Sequence, residues 1–367
     1  MGKATLSLAD DISGLTSELC RAVGLSHSTN AAEEYADLVR EMLGPGGDRP
    51  IGQPPAWPSD VADDHTPVEF SLAVDRAGRP AVRLLLETLG EGTSIEANVC
   101  AAQELLPRLA ERYGFSLAAF DAVADLFLPK HPQGRFAWWW SVVLRLGLPP
   151  AFKIYFNPEV RGRAVAGELV EAGLDRLGFG GAYPNLRRRL RPGDELDRYS
   201  FFSIDLHTQP DPRVKVYLSH HDGDLAQLLR TAGAARQVEE EQIREFTAIA
   251  GGHRGRFTGR PLISSLSFLA GDTDRASGFS VYLPVRDYAE DDEVALARAH
   301  ALLAGHGLDR ALLDRALTVL ARRPLNEGVG LIPHLSLRTG RPHTGLTVYL
   351  SAESYAVTPP RPESLAS

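Results

Sequence analysis

The chain of 367 residues has only two cysteines, Cys20 and Cys100, set far apart and without a partnering motif. That argues against a disulfide framework and a cysteine zinc site, and it fits a reducing compartment. Long hydrophobic runs are missing too, and Asp10 and Asp11 stand where a secretion signal would need a basic start and an apolar stretch. No membrane span or signal peptide is expected, so the chain reads as cytoplasmic. Positive charge is in the minority, since 39 Lys and Arg against 47 Asp and Glu give a formal net charge of -8. Nucleic acid and anionic membranes attract clustered positive charge, so neither is an expected partner. The one basic run, Arg187-Arg188-Arg189-Leu190-Arg191, lies between Pro184 and Pro192-Gly193 and reads as a solvated loop or helix end.

Phosphate-binding and metal-binding signatures are also lacking. Asp63-Asp64 precedes a strand and Glu290-Asp291-Asp292-Glu293 opens a helix, positions where acidic residues cap backbone N–H groups and favour the helix dipole. Neither reads as a magnesium cluster. There is no glycine-rich loop ending in Gly-Lys-Ser/Thr, and no glycine fingerprint follows a strand. A phosphorylated ligand would have to be neutralised by the chain's own cations.

What the sequence has instead is a repeated strand. In Arg213-Val214-Lys215-Val216-Tyr217-Leu218, alternate side chains share a face, so two cations and a phenol point one way while Val214, Val216 and Leu218 point the other. The pattern returns in Phe152-Lys153-Ile154-Tyr155-Phe156, Phe279-Ser280-Val281-Tyr282-Leu283 and Leu346-Thr347-Val348-Tyr349-Leu350, with a weaker relative in Val82-Arg83-Leu84-Leu85-Leu86. Around these segments the chain divides regularly. Residues 5–44 carry two helical apolar stripes that end at Gly44-Pro45-Gly46-Gly47, and a proline-rich loop runs from Arg49 to Asp64. Hairpins then alternate with helices: Val68–Val74 with Ala81–Glu87 and a helix over Ile95–Tyr113; Phe136–Leu146 with Phe152–Phe156 and a helix over Gly162–Leu177. Next come Tyr199–Leu206 with Arg213–Ser219 and helical material from Asp224 to Ala250, then Leu262–Leu269 with Phe279–Val285 and helices from Asp291 to Leu320. Val329–Leu337 with Gly345–Ser351 closes the series. Turns are expected at Asp75–Arg79, Gly147–Pro150, Gln209–Pro212, Gly271–Gly278 and Arg338–Thr344.

Five hairpins separated by helices predict an α+β fold in which ten antiparallel strands curl into a barrel, five ββα repeats with helices outside and a solvent-accessible cavity within. Residues 1–48 are expected as helices packed on the barrel, 65–355 as the barrel itself and 356–367 as a disordered tail. Arg83, Lys153, Arg213 and Lys215 would then face the interior with a ring of tyrosines. Buried cations without a counter-anion cost several kcal/mol each, so a polyanion is the natural filler. The mixture of guanidinium forks and point charges suits a diphosphate, and tyrosine faces attract a cation. An anion clamp beside an aromatic cage fits a reaction in which diphosphate departs and a carbocation remains, as allylic diphosphates react. Glu69, in an otherwise apolar strand, is either a base that accepts a ring N–H or a salt-bridge partner of an interior arginine such as Arg83. Trp138-Trp139-Trp140 alternates faces, so it supplies the core, the cavity or both. A barrel that only binds an anionic metabolite is the rival reading.

The ordered set Pro67-Val68-Glu69-Phe70-Ser71, Lys153-Ile154-Tyr155, Arg213-Val214-Lys215-Val216-Tyr217, Tyr282 and Tyr349 resembles the aromatic prenyltransferases of the dimethylallyltryptophan synthase type, whose ten-stranded barrel is called the ABBA fold. The resemblance runs from about Leu15 to Tyr355, and the length is similar to that of the bacterial indole-prenylating members. It implies transfer of a dimethylallyl group from its diphosphate to an indole such as tryptophan, with a prenyl diphosphate and an aromatic acceptor as the small-molecule partners and no metal or other cofactor required. Glu69 would hold the indole N–H and act as base; Arg83, Lys153, Arg213 and Lys215 would bind diphosphate; Tyr155, Tyr217, Tyr282 and Tyr349 would shield the allyl cation. Ser280 stands in the diphosphate site where fungal members tend to carry glutamine. Asn157 stands on the acceptor side where some members carry a second tyrosine. A phenol, naphthalene or cyclic dipeptide acceptor stays open, as do donor length and the ring position attacked.

Overall fold

The computed structural model describes residues 6–26, 29–75, 80–207, 213–340 and 344–362. Two helices lead, α1 (Leu8–Ala22) and α2 (Thr29–Leu43). The first hairpin, β1 (Val68–Asp75) and β2 (Ala81–Leu86), is followed by α3 (Ile95–Tyr113) and α4 (Ala118–Phe127). The second, β3 (Trp138–Arg145) and β4 (Leu148–Phe156), is followed by α5 (Ala166–Arg176) and the short α6 (Tyr183–Arg187). After β5 (Asp197–Leu206) and β6 (Val214–His220) come β7 (Gly223–Asp224), α7 (Leu225–Ala232), α8 (Glu240–Gly251) and β8 (Arg256–Phe257), with β7 and β8 paired as a separate ribbon. Then β9 (Leu262–Phe268) and β10 (Gly278–Leu283) precede α9 (Asp292–Gly305) and α10 (Ala311–Leu320), and β11 (Leu335–Gly340) and β12 (Gly345–Ser351) finish the series.

Ten strands close into a barrel in the order β1-β12-β11-β10-β9-β6-β5-β4-β3-β2. The last strand returns to the first, antiparallel from Glu69↔Ser351 to Asp75↔Gly345, so the barrel has no free edge. This is the α+β barrel that the repeated hairpins predict. Alternation sorts each strand as expected: Val214, Val216 and Leu218 are buried against the outer helices while Lys215 and Tyr217 turn inward. Helix α3 runs between a Ser94 side chain that accepts from Ala97 N and a left-handed Gly114, so its ends are written in its own capping residues. No helix among the described residues is long and apolar enough to cross a membrane.

Several elements differ from the sequence reading. Helix α4 is an addition; its Phe120, Val123 and Phe127 recur at helical spacing and are buried, and Phe127 stacks on Phe156 and Phe202 at 5.2 and 4.9 Å. The last hairpin starts at Leu335 rather than Val329, because the N–H groups of Gly330, Leu331 and Ile332 donate to the buried Asp292 carboxylate at 3.0, 3.1 and 2.9 Å instead of to a ladder. Asp291 is the α9 N-cap, as expected, but Asp292 is this buried anchor, paired also with Arg323 at 2.5 Å. Nor is the basic run wholly solvated: Arg191 donates to Asp197 Oδ1 at 2.7 Å and to the carbonyls of Leu196 and His221. Asp63, read as a cap, instead pairs with Arg260 and Arg286. The helix expected from Gly162 begins at Ala166 after two 3-10 turns.

The N-terminal helices are tied to the rest by Arg315 Nε to Ala22 O at 3.0 Å and Ser354 Oγ to Asp11 Oδ2 at 2.8 Å. In the tail, Thr358 O accepts from Val329 N at 2.9 Å and Arg361 reaches Asp287 at 2.9 Å. Residues 363–367 lie outside the described residues, as do 76–79, 208–212 and 341–343 within or beside three of the expected turns.

Candidate active site

Inside the barrel is a cavity of about 640 Å³. Its wall is built by inward positions of consecutive strands, and the register brings them together in layers. One layer is cationic: Arg83 opposes Val143, Lys153 opposes Asp205, and Lys215 opposes Ser203 and Ser267. Lys153 Nζ lies 3.1 Å from Asp205 Oδ1, while Arg213 Nη2 lies 2.6 Å from Oδ2. Among the described residues, Arg83 Nε is buried without a hydrogen-bond partner. Burial, then the charges of Arg213 and Arg83, push the Lys153 ammonium down to about 7, with Asp205 opposing them. Lys215 is pushed well below its ordinary value by burial and by Arg213, Lys153 and Arg338. Burial alone would push the Asp205 carboxyl up, but Lys153 and Arg213 hold it far below the usual carboxylate range. The cluster is short of negative charge.

The next layer is aromatic. Tyr155 and Tyr217 are 5.6 Å apart between ring centroids, Tyr217 and Tyr282 5.7 Å, Tyr282 and Tyr349 6.2 Å. Four phenols therefore form a continuous row over β4, β6, β10 and β12. Burial, and then the neighbouring phenols, push Tyr217 and Tyr349 well above the ordinary tyrosine value, so these groups stay neutral. Phe201 meets Tyr155 and Tyr217 edge-on at 6.1 and 5.6 Å, and Phe136 stacks on Trp139 at 3.9 Å. Of the three tryptophans, only Trp139 lines the cavity; Trp138 and Trp140 belong to the outer core.

Glu69 lies on β1, only 6% exposed, and lines the same cavity. Its carboxylate is 3.7 Å from His334 Nδ1, and His334 meets Tyr349 edge-on at 6.0 Å. Towards the rim the lining turns charged, with Arg198 held by Glu159 at 2.8 and 2.5 Å. The loop expected between Arg49 and Asp64 contributes Asp60, Val61, Ala62 and Asp63 to the wall. No group of three or more His, Cys, Asp or Glu among the described residues has the arrangement of a metal site.

Residues 25–314, well over half of the chain, match the family described as tryptophan dimethylallyltransferase. The chain belongs to that family. Among solved structures, it is 46% identical to 6-dimethylallyltryptophan synthase from Micromonospora olivasterospora, in complex with DMASPP and Trp. That match has a TM-score of 0.92 and covers 97% of this chain and 100% of that one. It is 37% identical to the prenyltransferase PriB in a ternary complex with L-tryptophan and dimethylallyl thiolodiphosphate, at a TM-score of 0.87 over 98% of this chain and 100% of that one. The 5-dimethylallyltryptophan synthase from Streptomyces coelicolor is 36% identical, at a TM-score of 0.89 over 99% and 100%. A tryptophan dimethylallyltransferase is a prenyltransferase, so the chain is an enzyme and not a barrel that only binds.

Within this tryptophan dimethylallyltransferase, the cavity brings together Glu69, Arg83, Lys153, Lys215, Asn157 and the four tyrosines singled out from sequence. Arg213 and Ser280 are outside the lining. Arg213 precedes β6 and is turned onto Asp205, and Ser280 sits in register between Ser265 and Arg338. Asn157 Nδ2 donates to Phe136 O and its Oδ1 accepts from Glu159 N, both at 2.9 Å, so it pins the chain leaving β4. Sequence reasoning misses Asp205, Arg338, His334 and the Arg198–Glu159 pair. The first two are within reach of the alternation rule, since Ser203-Ile204-Asp205 and Ser336-Leu337-Arg338 place a charge two residues from a small inward side chain.

Proposed function

We propose that the enzyme transfers the dimethylallyl group of dimethylallyl diphosphate to carbon 6 of the indole ring of tryptophan. The observation that carries this reading is a single cavity in which a layer of four cations, balanced only in part by Asp205, lies beside a row of four tyrosines, with the buried carboxylate of Glu69 lining the same cavity. Arg83, Lys153 and Lys215, which all line the cavity, take the diphosphate oxygens. As the carbon–oxygen bond breaks, these cations stabilise the charge that develops on the leaving diphosphate, and Tyr155, Tyr217, Tyr282 and Tyr349 face the allyl cation. The indole attacks with its electron pair and forms the new carbon–carbon bond. The Glu69 carboxylate accepts a hydrogen bond from the indole N–H and is the base for the proton lost as the ring regains aromaticity.

The choice of carbon 6 rests on similarity, 45% and 46% to two 6-dimethylallyltryptophan synthase structures against 36% to the 5-synthase. A free amino acid suits the rim, where Arg198, Glu159 and Asp63 offer both signs of charge to its carboxylate and ammonium. The interior cations supply the neutralisation that magnesium gives in other diphosphate sites, so turnover is expected without added metal. Two free cysteines, Cys20 and Cys100, accord with a cytoplasmic place for the reaction.

The test is an assay with dimethylallyl diphosphate and L-tryptophan, run with EDTA and with magnesium, followed by NMR of the product. A tryptophan heavier by one isoprenyl unit, substituted at carbon 6 and formed equally in EDTA, is the expected result. Substitution at another ring carbon would overturn the position alone, and turnover only with magnesium would overturn the metal-free clamp.

A further inference from the structure

One interior group has no part in the reaction as drawn. Asp205 is 4% exposed, lies opposite Lys153 in the β4–β5 register, and contacts Lys153 and Arg213 with its two oxygens at 3.1 and 2.6 Å. His207 Nε2 stands 3.5 Å from Oδ2. Asp205 is outside the cavity lining, but a carboxylate in direct contact with the cations of an anion site repels that anion, so it weakens donor binding unless it does something for the cations. The charged groups around Lys153 show what that is: Arg83 comes from β2, Arg213 and Lys215 from β6 and its approach, and among the described residues Asp205, with His207 behind it, is the group that attracts the ammonium.

We propose that Asp205 is a positioning residue of the donor site, the built-in counter-ion that holds Lys153 and Arg213 in place in the empty cavity and yields Lys153 to the diphosphate. The proposal rests on the reading of Arg83, Lys153 and Lys215 as the diphosphate clamp. Binding is then an exchange of one anion for another, and departure of the product diphosphate is helped by the carboxylate that waits to reclaim the ammonium. Two consequences follow from removing its charge. Repulsion of diphosphate disappears, which tightens binding wherever Lys153 is already protonated. The support for the Lys153 ammonium also disappears, so that group loses its proton at a lower pH and diphosphate binding begins to weaken earlier as pH rises. The two effects have opposite signs, and they cross.

The experiment measures the Kd of inorganic diphosphate by calorimetry between pH 5.5 and 9 for the wild type, Asp205→Asn, Asp205→Glu and Lys215→Ala, with kcat and KM for both substrates at each pH. Asp205→Asn is expected to bind diphosphate about three- to tenfold tighter than wild type at the acid end, with stronger product inhibition. Its affinity should fall away at a pH about one unit lower than in wild type, while KM for tryptophan stays within twofold. Asp205→Glu should restore the wild-type break. A uniform loss at every pH, or an unmoved break, would overturn the role of Asp205. If Lys215→Ala leaves diphosphate affinity unchanged, the clamp reading itself fails, whatever Asp205→Asn does. Should Asp205→Asn fold poorly, its melting temperature with and without saturating diphosphate decides: a larger gain than in wild type supports an exchange of anions. A variant that stays unfolded with diphosphate makes Asp205 a folding residue and sinks the proposal.

Discussion

Two polar clusters sit on opposite faces of the same barrel wall, and only one of them looks like an enzyme at first glance. Outside, Ser264 Oγ lies 2.8 Å from His220 Nε2, and His220 Nδ1 lies 2.7 Å from Asp197, a serine–histidine–aspartate line with hydrogen-bond distances throughout. Inside, Glu69 and His334 are 3.7 Å apart, and Arg83 Nε has no hydrogen-bond partner among the described residues. Yet His220 and Ser264 are fully buried, and Asp197 also takes Arg191 at 2.7 Å and Gln227 Nε2 at 2.9 Å. The Ser264–His220–Asp197 line has its hydrogen bonds made and is closed to substrate, although Gln227 Oε1 beside it is buried without a partner among the described residues. The inner cluster is unsaturated and opens on 640 Å³ of space. Hydrogen-bonding capacity left over at a cavity marks chemistry better than a familiar constellation of residue types, because a group already satisfied has nothing to offer a transition state.

The comparison breaks if a change on each side has the wrong kind of effect. Glu69→Gln keeps the size and hydrogen-bonding shape of the side chain and removes its basicity, so kcat should fall by about 10²–10⁴. Donor binding and melting temperature should move little, as calorimetry and thermal unfolding would show; equal losses of turnover and donor affinity would count against the base. Asp197→Ala should do the reverse. Leaving Arg191 without its buried partner costs about 3–5 kcal/mol of stability in a urea titration, while kcat per folded molecule stays within about twofold. The pH dependence has a definite sign as well. Burial opposes it, but His220 and Arg191 hold the Asp197 carboxyl well below its ordinary value. Its stabilising contribution is therefore full above the unfolded carboxylate value of about 4 and is lost as pH falls toward the depressed folded value. The Ala variant should lose that part of the acid transition.

The same contrast explains how much of the molecule is legible in its residues alone. A period of two is enough to put Val214, Val216 and Leu218 outside and Lys215 and Tyr217 inside, and five such hairpins require a sheet that closes, so the barrel and most of its lining can be read directly. Helix α3 is legible to the residue because Ser94 and Gly114 mark its ends. What the alternation rule does not reveal is depth along the barrel axis. Arg213 and Lys215 share a face, yet Lys215 reaches the cavity and Arg213 is turned onto Asp205. Partners far apart in sequence are equally hidden: the amides of 330–332 form no strand because Asp292, on another element, takes them. Residues 60–63 form part of the wall only because Val61 packs with Phe136 and Trp139, a contact between separate elements that no local pattern records.

The smallest expected effect sharpens the comparison most, since it separates the shape of the tyrosine row from its hydroxyls. Tyr217 is central: its ring meets Tyr155, Phe201 and Tyr282, while its hydroxyl makes a long 3.3 Å contact with the Tyr155 hydroxyl. If the row serves as a wall of ring faces for an allyl cation, Tyr217→Phe keeps that wall and should leave kcat within about threefold. Tyr217→Leu keeps a smaller apolar side chain but removes the quadrupole, and a desolvated cation–π contact of about 2 kcal/mol corresponds to a loss of up to about 30-fold. A less shielded cation is also open to water, which adds to it and releases a proton to give a five-carbon alcohol. The ratio of that alcohol to prenylated tryptophan, measured by mass spectrometry in the same reaction, should rise in Tyr217→Leu and stay flat in Tyr217→Phe. A matching rise in both would mean that the hydroxyl network, and not the ring faces, keeps water from the cation, and the row would then work through hydrogen bonds, as the closed cluster of the outer wall does.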